Sequence, residues 1–369
     1  MAASAFAVKL LESDVLSNKT YIMIIVVVII IIFTLAYISI QLNLKTTNCA
    51  KLSKSSNNTI RSIIDISKSS SSTIDINKPL NNFFIKTAHN CCCVGNFKND
   101  YVDKCALKNC AYYGVRALDF QVYSLKNKPI ISASFIESTQ YKEIYNHLTF
   151  YETLLAVKQY FMDDSENINR TDPLFLIFRL YTKNAAIYDM MAQSLNEVFG
   201  YSSRTGNRIY MTDAKSLDNT PLSKLNNQVV IIVDPSRGDT NAFENSRLLQ
   251  FTSMMMFKTM NHIYRETKLL ADISTTDVSN NLTILYPDLQ QSKANYDFIT
   301  SGIFNNISFI GMNFQYYDTY LSLYNGIDFF SNSAFLDKGS TIGALCALPQ
   351  YNPGGTQSPI KQCRPIQTK

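Results

Sequence analysis

Short apolar runs alternate with amphipathic segments along most of the chain, and this alternation constrains the fold more than any other feature. Seven runs have the composition of β-strands: FFIKTA (83–88), VRALDFQVY (115–123), PIISASF (129–135), LFLIFRL (174–180), VVIIVD (229–234), LTILYP (282–287) and ISFIGMNFQ (307–315). Between them, 151–161 and 185–200 carry apolar residues at helical spacing. Strands that are apolar throughout are typical of a parallel sheet covered on both faces. A closed β/α barrel is the natural architecture for such an alternation.

An uncharged run, YIMIIVVVIIIIFTLAYISIQL (21–42), precedes these elements. As a helix it is long enough to cross a bilayer, and we interpret it as a single membrane-spanning anchor. A cleaved signal peptide is the alternative, but the run exceeds the usual apolar core of a signal, and no small-residue cleavage site follows. Five regions are therefore predicted: an N-terminal tail (1–20), a transmembrane helix (21–42), a stalk rich in Ser, Asn and Lys (43–79), a barrel (80–345) and an extended tail (346–369).

Two observations about membrane topology conflict. Lysines flank the span on both sides, at positions 9 and 19 before it and 45, 51 and 54 after it, which mildly favours a cytoplasmic or interior barrel. All eight cysteines follow the span, however, and an even count on one side fits disulfides in an oxidising compartment. Topology stays open on the sequence alone.

The cysteine spacing favours disulfides over metal binding. No pair of CxxC motifs is present, so a structural zinc site is not expected. We expect Cys105 to pair with Cys110, or either of them with one of Cys91–Cys93, and Cys346 to pair with Cys363. Glycosylation sequons begin at Asn57, Asn169, Asn281 and Asn306, although a chain rich in Asn produces sequons by chance.

Charge excludes one class of partner. The net charge of +5 comes from 34 basic and 29 acidic residues without a Lys/Arg run, so nothing points to nucleic acid.

Polar residues at strand ends are the candidate site, because the catalytic residues of β/α barrels lie there. The candidates are His89, Asn90, Arg116, Asp119, Gln121, Ser132, Ser134, Arg179, Tyr286 and Asn313. His89 is the most informative, since the chain has only three histidines. By spacing alone, a hydrogen-bonded core histidine is the simpler interpretation.

The segment LNNFFIKTAHN, followed by ALKNCAYYGVRALDFQVYSLKNKPIISAS, resembles the X region of phosphatidylinositol-specific phospholipase C. In that region a HYFI-x-x-SHN strand, a helix, a GCRC-x-E-x-D strand and a P-x-V-x-HG strand follow in the same order. Later segments, including FIGMNFQYYDTYLSLYNGIDFF, continue the resemblance over roughly residues 80–340. The resemblance implies a distorted TIM (β/α)8 barrel of the PLC-like phosphodiesterase type, here preceded by an N-terminal transmembrane helix.

The resemblance also implies which site residues are kept. His89 matches the first catalytic histidine and Asn90 the first calcium ligand, whereas the second histidine falls at Ala133. Asp119 and Gln121 match two acidic ligands, and Arg179 matches a further glutamate. The family's phosphate-binding lysines fall at Val233 and Pro235, and its substrate-binding arginine falls at Ile284.

A charge count then argues against calcium. Three carboxylates of the family pattern become the Asp119 carboxylate and the Arg179 guanidinium, whose charges cancel. Calcium takes six to eight oxygen ligands, several of them anionic. We expect that the calcium site is lost and that no metal or other cofactor is bound.

These residues predict a membrane-anchored phospholipase C-like domain with a degenerate active site, a pseudoenzyme that binds lipid or a headgroup or is structural. The alternative is a metal-independent phosphoric diester hydrolase or lyase acting on phosphatidylinositol or a related phosphodiester, with His89 as base and an arginine in place of calcium. The residual catalytic residues are His89, Arg116 and Asp119, and the substrate-binding residues are Asn90, Arg179 and Tyr286.

Membrane lipid, with a phosphoinositide headgroup or another phosphodiester as ligand, is the expected partner. The sequence identifies no protein partner. An Asn- and Ile-rich, Trp-free, single-pass protein of this kind is expected in the virion or host internal membrane of a large DNA virus, with a protist homologue as the alternative.

Overall fold

The computed structural model describes residues 19–52, 60–69, 74–134, 142–201, 206–211, 217–256, 261–264, 282–287 and 294–348. The chain divides into two compact units, residues 1–47 and residues 48–369. Most of the predicted C-terminal tail lies outside the described residues.

Helix α1 (Lys19–Leu52) contains the predicted span. Within the described residues it is the one helix long and apolar enough to cross a membrane, with a mean hydropathy of 3.1 in its most apolar window. Its length and composition fit a membrane span or a signal sequence. The helix continues beyond the predicted end of the span at residue 42.

The second unit is built on a curved sheet. Its strands are β1 (Phe83–Ala88), β2 (Ala117–Leu125), β3 (Lys128–Ser132), β4 (Leu148–Thr149), β5 (Leu174–Leu180), β6 (Val229–Asp234), β7 (Met254–Met255), β8 (Asn261–Tyr264), β9 (Thr283–Tyr286), β10 (Phe309–Met312) and β11 (Phe335–Asp337). Eight of them run parallel in the order β7-β6-β5-β2-β1-β10-β9-β8. The remaining strands, β3, β4 and β11, extend this sheet through antiparallel pairs.

Helices and short helical turns connect the strands. The helices are α2 (Ile63–Ser67), α3 (Lys104–Tyr112), α4 (Phe150–Lys158), α5 (Ala186–Phe199), α6 (Thr240–Glu244), α7 (Leu248–Phe251), α8 (Thr319–Tyr324) and α9 (Lys338–Cys346). Turns of 3₁₀ helix cover Leu80–Asn82 and Leu222–Leu225, and π-helical turns cover Gln159–Asp163 and Ile299–Ile303.

The core has two apolar layers, one on each face of the sheet. Phe83 and Ile85 of β1 belong to the layer inside the barrel. Phe84 and Ala88 belong to the layer that also contains buried side chains of α3, α4 and α5. Burial of both faces confirms the predicted parallel, barrel-like architecture. Among the described strands no pairing joins the two end strands, β7 and β8, so the sheet is a curled half-barrel and not the closed barrel that the sequence predicts.

The third predicted strand does not belong to the parallel sheet. β3 instead pairs antiparallel with β2, in a register that joins Leu125 to Lys128. The two residues between them, Lys126 and Asn127, have φ angles of 49° and 58°. Two left-handed residues in succession form the tight turn that suits a hairpin, so the chain returns beside β2 instead of crossing over.

Part of the predicted stalk packs against the barrel. Ile63 is fully buried and joins the apolar layer inside the barrel. The Ser62 hydroxyl and the Ile63 N–H donate to one carboxylate oxygen of Asp172, at 2.6 and 3.1 Å. Asp172 lies just before β5, so this segment closes the end of the barrel where the parallel strands begin. Residues 53–59 and 70–73 lie outside the described residues.

The disulfide pattern differs from the prediction. Cys105 is bonded to Cys49, whereas Cys110 and Cys91–Cys93 are buried free thiols. Cys105 and Cys110 occupy one helix, α3, and five positions of about 100° each turn their side chains in different directions. Cys346 is also disulfide-bonded. Its predicted partner, Cys363, lies outside the described residues.

The sequon at Asn169 is not usable in the folded protein. Asn169 is fully buried, and its side-chain amide donates to the carbonyl oxygen of Gly114 at 3.0 Å. The sequons at Asn57 and Asn281 begin outside the described residues.

Candidate active site

Five of the six predicted site residues meet at the carboxyl ends of the barrel strands. They are His89, Asn90, Asp119, Arg179 and Tyr286, and each is exposed by 3% or less. We call them the strand-end cluster. Tyr286 ends β9, Asp119 and Arg179 lie within β2 and β5, and His89 and Asn90 directly follow β1.

The Asp119 carboxylate is the centre of the cluster. Its Oδ1 accepts from Arg179 Nε at 2.8 Å and from the Tyr286 hydroxyl at 3.1 Å. Its Oδ2 accepts from Arg179 Nη2 at 2.7 Å and from the Asn90 N–H at 3.0 Å. Each oxygen therefore accepts two hydrogen bonds, and the guanidinium contacts both oxygens in the bidentate geometry that binds carboxylates most strongly.

These contacts determine the protonation state of Asp119. Burial alone raises the pKa of this carboxyl, but the Arg179 guanidinium and the hydrogen bonds to the carboxylate outweigh burial and hold the pKa below its usual value. Asp119 is ionised near neutral pH, and its charge is balanced within the barrel.

Aromatic rings hold the Arg179 side chain on two sides. The guanidinium carbon lies 4.7 Å from the ring centre of Tyr286 and 5.8 Å from that of Tyr181. Tyr181 stacks in turn on Tyr123, with ring centres 5.4 Å apart and planes 21° apart. Contact with ring faces favours a cation that has lost its water.

The tautomer of His89 follows from its neighbours. Asn90 Oδ1 accepts from Arg179 Nη2 at 2.8 Å, so the Asn90 amide nitrogen is the atom that faces His89 Nε2, at 3.2 Å. On the other side, His89 Nδ1 lies 2.9 Å from Asn313 Oδ1, an acceptor. His89 thus carries its proton on Nδ1 and accepts at Nε2. Nε2 lies 3.8 Å from Asp119 Oδ2, beyond hydrogen-bond distance.

The backbone of Asn90 helps to build this arrangement. Asn90 has a φ of 44°, in the left-handed region that Asn tolerates better than most residues. The same residue presents its N–H to Asp119 and its side chain to Arg179 and His89. Asn90 therefore contacts the His89 imidazole, the Asp119 carboxylate and the Arg179 guanidinium.

Arg116, predicted as a residual catalytic residue, lies elsewhere. It precedes β2, at the end of the barrel where the strands begin. Its guanidinium donates to the carbonyl oxygens of Phe161 at 2.9 Å, Pro173 at 3.1 Å and Asp172. All of these contacts are to the backbone, so the predicted catalytic role for Arg116 has no geometric support.

Two further positions that the resemblance aligned with the active site have become part of the β2–β3 hairpin. Gln121 Oε1 accepts from the Ser134 N–H at 2.8 Å and from the Tyr123 hydroxyl at 2.8 Å, and Gln121 Nε2 donates to the Ser134 carbonyl at 3.2 Å. Ala133, aligned with the second histidine, is fully buried in the outer apolar layer with Ile131. Neither side chain provides an acid at the cluster.

Sequence reasoning underestimated Asn313. The sequence places this residue at a strand end and predicts no role for it, whereas in the structure it sets the tautomer of His89. Its position is fixed by Asn295, whose Oδ1 accepts from the Asn313 N–H at 2.6 Å. The one signal available in the sequence was its place directly after an apolar strand.

Comparisons with known proteins agree with the fold. No protein-family model and no curated protein sequence matches the chain. The crystal structure of S. officinalis PLC21 is similar, with a TM-score of 0.55 and 16% identity over 72% of this chain and 38% of that chain. For L. pealei PLC21 the TM-score is 0.53, with 15% identity over 71% of this chain and 37% of that one. The chain therefore spans less than two fifths of either protein, and the predicted phospholipase C-like fold is confirmed.

Proposed function

We propose that this protein is a membrane-anchored, phospholipase C-like barrel that has lost catalysis and acts as a binding or structural module. The observation that carries the proposal is the complete neutralisation of Asp119 by Arg179. Both carboxylate oxygens are occupied by donors of the protein itself, in a cluster buried from solvent.

The missing acid supports the same conclusion. Phosphodiester cleavage of the expected kind uses one group to remove a proton and another to protonate the leaving oxygen. Loss of one member of such a pair costs on the order of 10²- to 10⁴-fold in rate. With Ala133 buried in an apolar layer, His89 has no partner acid at the position where the resemblance places one.

The donor set does not fit calcium. Asp119 is the single carboxylate of the cluster, and the Arg179 cation lies within 2.8 Å of both of its oxygens. A divalent ion would have to displace this guanidinium from a buried position, whereas calcium sites use several anionic oxygens. Calorimetric titration of the purified protein with calcium should give no heat of binding. Micromolar binding that disappears in Asn90→Ala would contradict the proposal.

Membrane lipid remains the proposed partner, through α1. Tyr286 and Arg179, predicted to bind a headgroup, are buried and already bonded to Asp119. We infer that a headgroup reaches them only if the cluster opens. A virion or host internal membrane is the proposed location, and proteomics of purified particles or membranes would test it.

One observation favours an alternative, metal-independent phosphodiesterase. His89 is held as a neutral base, with the Asp119–Arg179 pair beside it. To act, Nε2 would have to exchange the Asn90 amide for a substrate hydroxyl and take its proton.

A cleavage assay separates the two functions. Phosphatidylinositol vesicles and a soluble glycerophosphodiester should remain intact in the presence of the full chain, and Ala133→His alone should not create turnover. Activity in the wild type that His89→Ala abolishes, with an unchanged unfolding temperature, would establish the alternative. His147→Ala is the matched control, because His147 is exposed.

A further inference from the structure

Within the described residues, the disulfide-bonded cysteines lie at the start of the second unit (residues 48–369), which we call the barrel unit, and near its last described residues. Cys49 is the second residue of that unit, and it is bonded to Cys105 at the start of α3. Cys346, also disulfide-bonded, ends the last described helix, α9. All three are partly exposed, whereas the free thiols of Cys91–Cys93 and Cys110 are exposed by 3% or less.

Cys49 and Cys105 also pack against the same apolar side chains. Leu52 forms a small apolar cluster with Val94 and Ala106, and both cysteines pack against it. These contacts are local to the barrel unit. The two sulfurs therefore meet in a packed environment that partly exposes them to an oxidant.

A hydrogen bond strengthens this junction. The Asn48 amide donates to Asp100, with 3.2 Å between Asn48 Nδ2 and Asp100 Oδ1. Asp100 is buried and also accepts from the N–H groups of Asn96 and Tyr101. The disulfide thus belongs to a built junction between the end of α1 and the loop that follows His89 and Asn90.

We propose that the barrel unit resides in an oxidising compartment, on the side of the membrane to which translocated chains are delivered. A partly exposed disulfide is not maintained where glutathione and thioredoxin keep thiols reduced. This inference is independent of the proposed function, because it depends on the cysteines alone.

The oxidation requires an acceptor, and a dithiol–disulfide oxidoreductase supplies it. One cysteine thiolate attacks the oxidoreductase disulfide and forms a mixed disulfide. The second thiolate then displaces the oxidoreductase sulfur, forming the Cys49–Cys105 bond. Two electrons pass to the oxidoreductase, which leaves as a dithiol, and the two thiol protons are released to solvent or to its sulfurs.

The lysines on either side of the span favour the opposite topology, with the barrel on the cytoplasmic side, but this argument is weaker. Three lysines follow the span within residues 43–54 and two precede it, a difference of one. If α1 is a signal sequence, it directs the chain into the same compartment. The uncharged run of residues 21–42 exceeds the usual apolar core of a signal peptide, which favours retention of α1.

Protease protection of the full chain tests the proposal directly. The full chain is translated in the presence of sealed microsomes, and protease is added outside. We expect a protected fragment that contains the barrel and disappears when detergent opens the vesicles. Digestion of the barrel in sealed vesicles would overturn the proposal.

A glycan reporter covers the case in which the compact barrel resists protease even in detergent. Ile327 is 85% exposed, and Ile327→Thr completes an N-glycosylation acceptor at Asn325 and Gly326. This variant should gain one glycosidase-sensitive glycan relative to the wild type, and Ile327→Ala should gain none. The absence of a gain in a protease-resistant barrel would reject the proposal.

Thiol mapping provides a third, chemical measurement. Membranes are alkylated under native conditions, and the chain is digested without reduction. A peptide pair linking Cys49 to Cys105 is expected, with Cys91–Cys93 and Cys110 alkylated only after denaturation. Native alkylation of both Cys49 and Cys105 would also overturn the proposal.

Discussion

At the scale of single residues, Arg179 provides the positive charge that neutralises Asp119. Its guanidinium lies where the resemblance places a metal-binding carboxylate, and its two donors to Asp119 are 2.7 and 2.8 Å from the carboxylate oxygens. The two side chains are exposed by 2% and 0%, respectively. Because water does not reach either charged group, each of them is compensated only by its partner, and removal of one leaves the other as an uncompensated buried charge.

Replacing Arg179 by Met should therefore be strongly destabilising. The change leaves a buried carboxylate without its counter-charge, and we expect a loss of about 3–5 kcal/mol in the free energy of unfolding, measured by urea denaturation. Arg208→Met is the matched control, since Arg208 pairs with an Asp163 side chain that is 47% exposed. The double variant Asp119→Asn/Arg179→Met should be less destabilised than Arg179→Met alone. Equal losses in Arg179→Met and Arg208→Met would contradict this account.

Two buried lysines give the barrel a distinctive pH dependence. Lys86 donates to the carbonyl oxygens of Tyr113 and Phe330, and Lys338 donates to the carbonyl oxygen of Asn306. Burial lowers the pKa of each amine from 10.5 to about 7.

The free energy of unfolding should therefore rise between pH 7 and pH 8.5. In this range the two amines stay protonated in the unfolded chain but lose their protons in the folded barrel. Each lysine therefore raises the free energy of unfolding by about 1.4 kcal/mol per pH unit. Well above pH 9 the trend should reverse, because burial raises the pKa of the Cys91, Cys93 and Cys110 thiols above their ordinary value of 9.0, and three thiols that ionise only in the unfolded chain outweigh the two lysines. Urea midpoints across this range measure the effect. Lys86→Met should flatten the rise and exposed Lys126→Met should not; a flat wild-type profile would refute the prediction.

At the scale of elements, the sequence predicts best where a strand is long and apolar. The bounds of β1, β5 and β6 are those of the predicted runs, because polar or turn-forming residues limit each run on both sides. β3 was misassigned to the parallel sheet because its direction depends on two left-handed turn residues and not on its own composition. The two-residue β7 is too short to give a periodic signal.

Helix α2 shows how a short buried element escapes sequence analysis. Its residues lie in a Ser- and Lys-rich segment typical of a stalk, yet Ile63 is fully buried. Ile63→Ala should cost about 2–5 kcal/mol, by loss of buried apolar surface and the cavity left behind. Thermal unfolding measures the loss, with exposed Lys68→Ala as the control. An effect no larger than that of Lys68→Ala would restore the stalk interpretation.

The sequence predicts the members of the site wherever the place of a residue at the end of a strand determines its position in the barrel. Five candidate residues meet because their strands are parallel neighbours or lie across the barrel from one another. The prediction for Arg116 was wrong because this residue precedes β2. It therefore lies at the end of the barrel where the strands begin, and Asp119 lies further along the same strand, towards the other end. The bond between Asn313 and His89 depends on side-chain geometry 224 positions apart in the chain, which local pattern does not reveal.

At the scale of the whole molecule, the barrel unit has its own core and junctions within residues 48–369. A chain that begins at residue 48 keeps Cys49, α2 and both apolar layers. We expect it to unfold at the same temperature as the full chain in detergent, as followed by circular dichroism. A chain that begins at residue 80, the predicted domain start, lacks Ile63 and the contacts of Asp172, and should be insoluble or unfold at a lower temperature. Equal stability of the two shortened chains would show that the segment before residue 80 is dispensable.

The internal pairing of Asp119 with Arg179 also has an evolutionary consequence. Arg179→Glu by itself would leave two buried carboxylates facing each other before any ligand set existed to hold an ion between them. A change from this ion pair to a pair of metal-binding carboxylates therefore requires several simultaneous substitutions, each of them unfavourable alone.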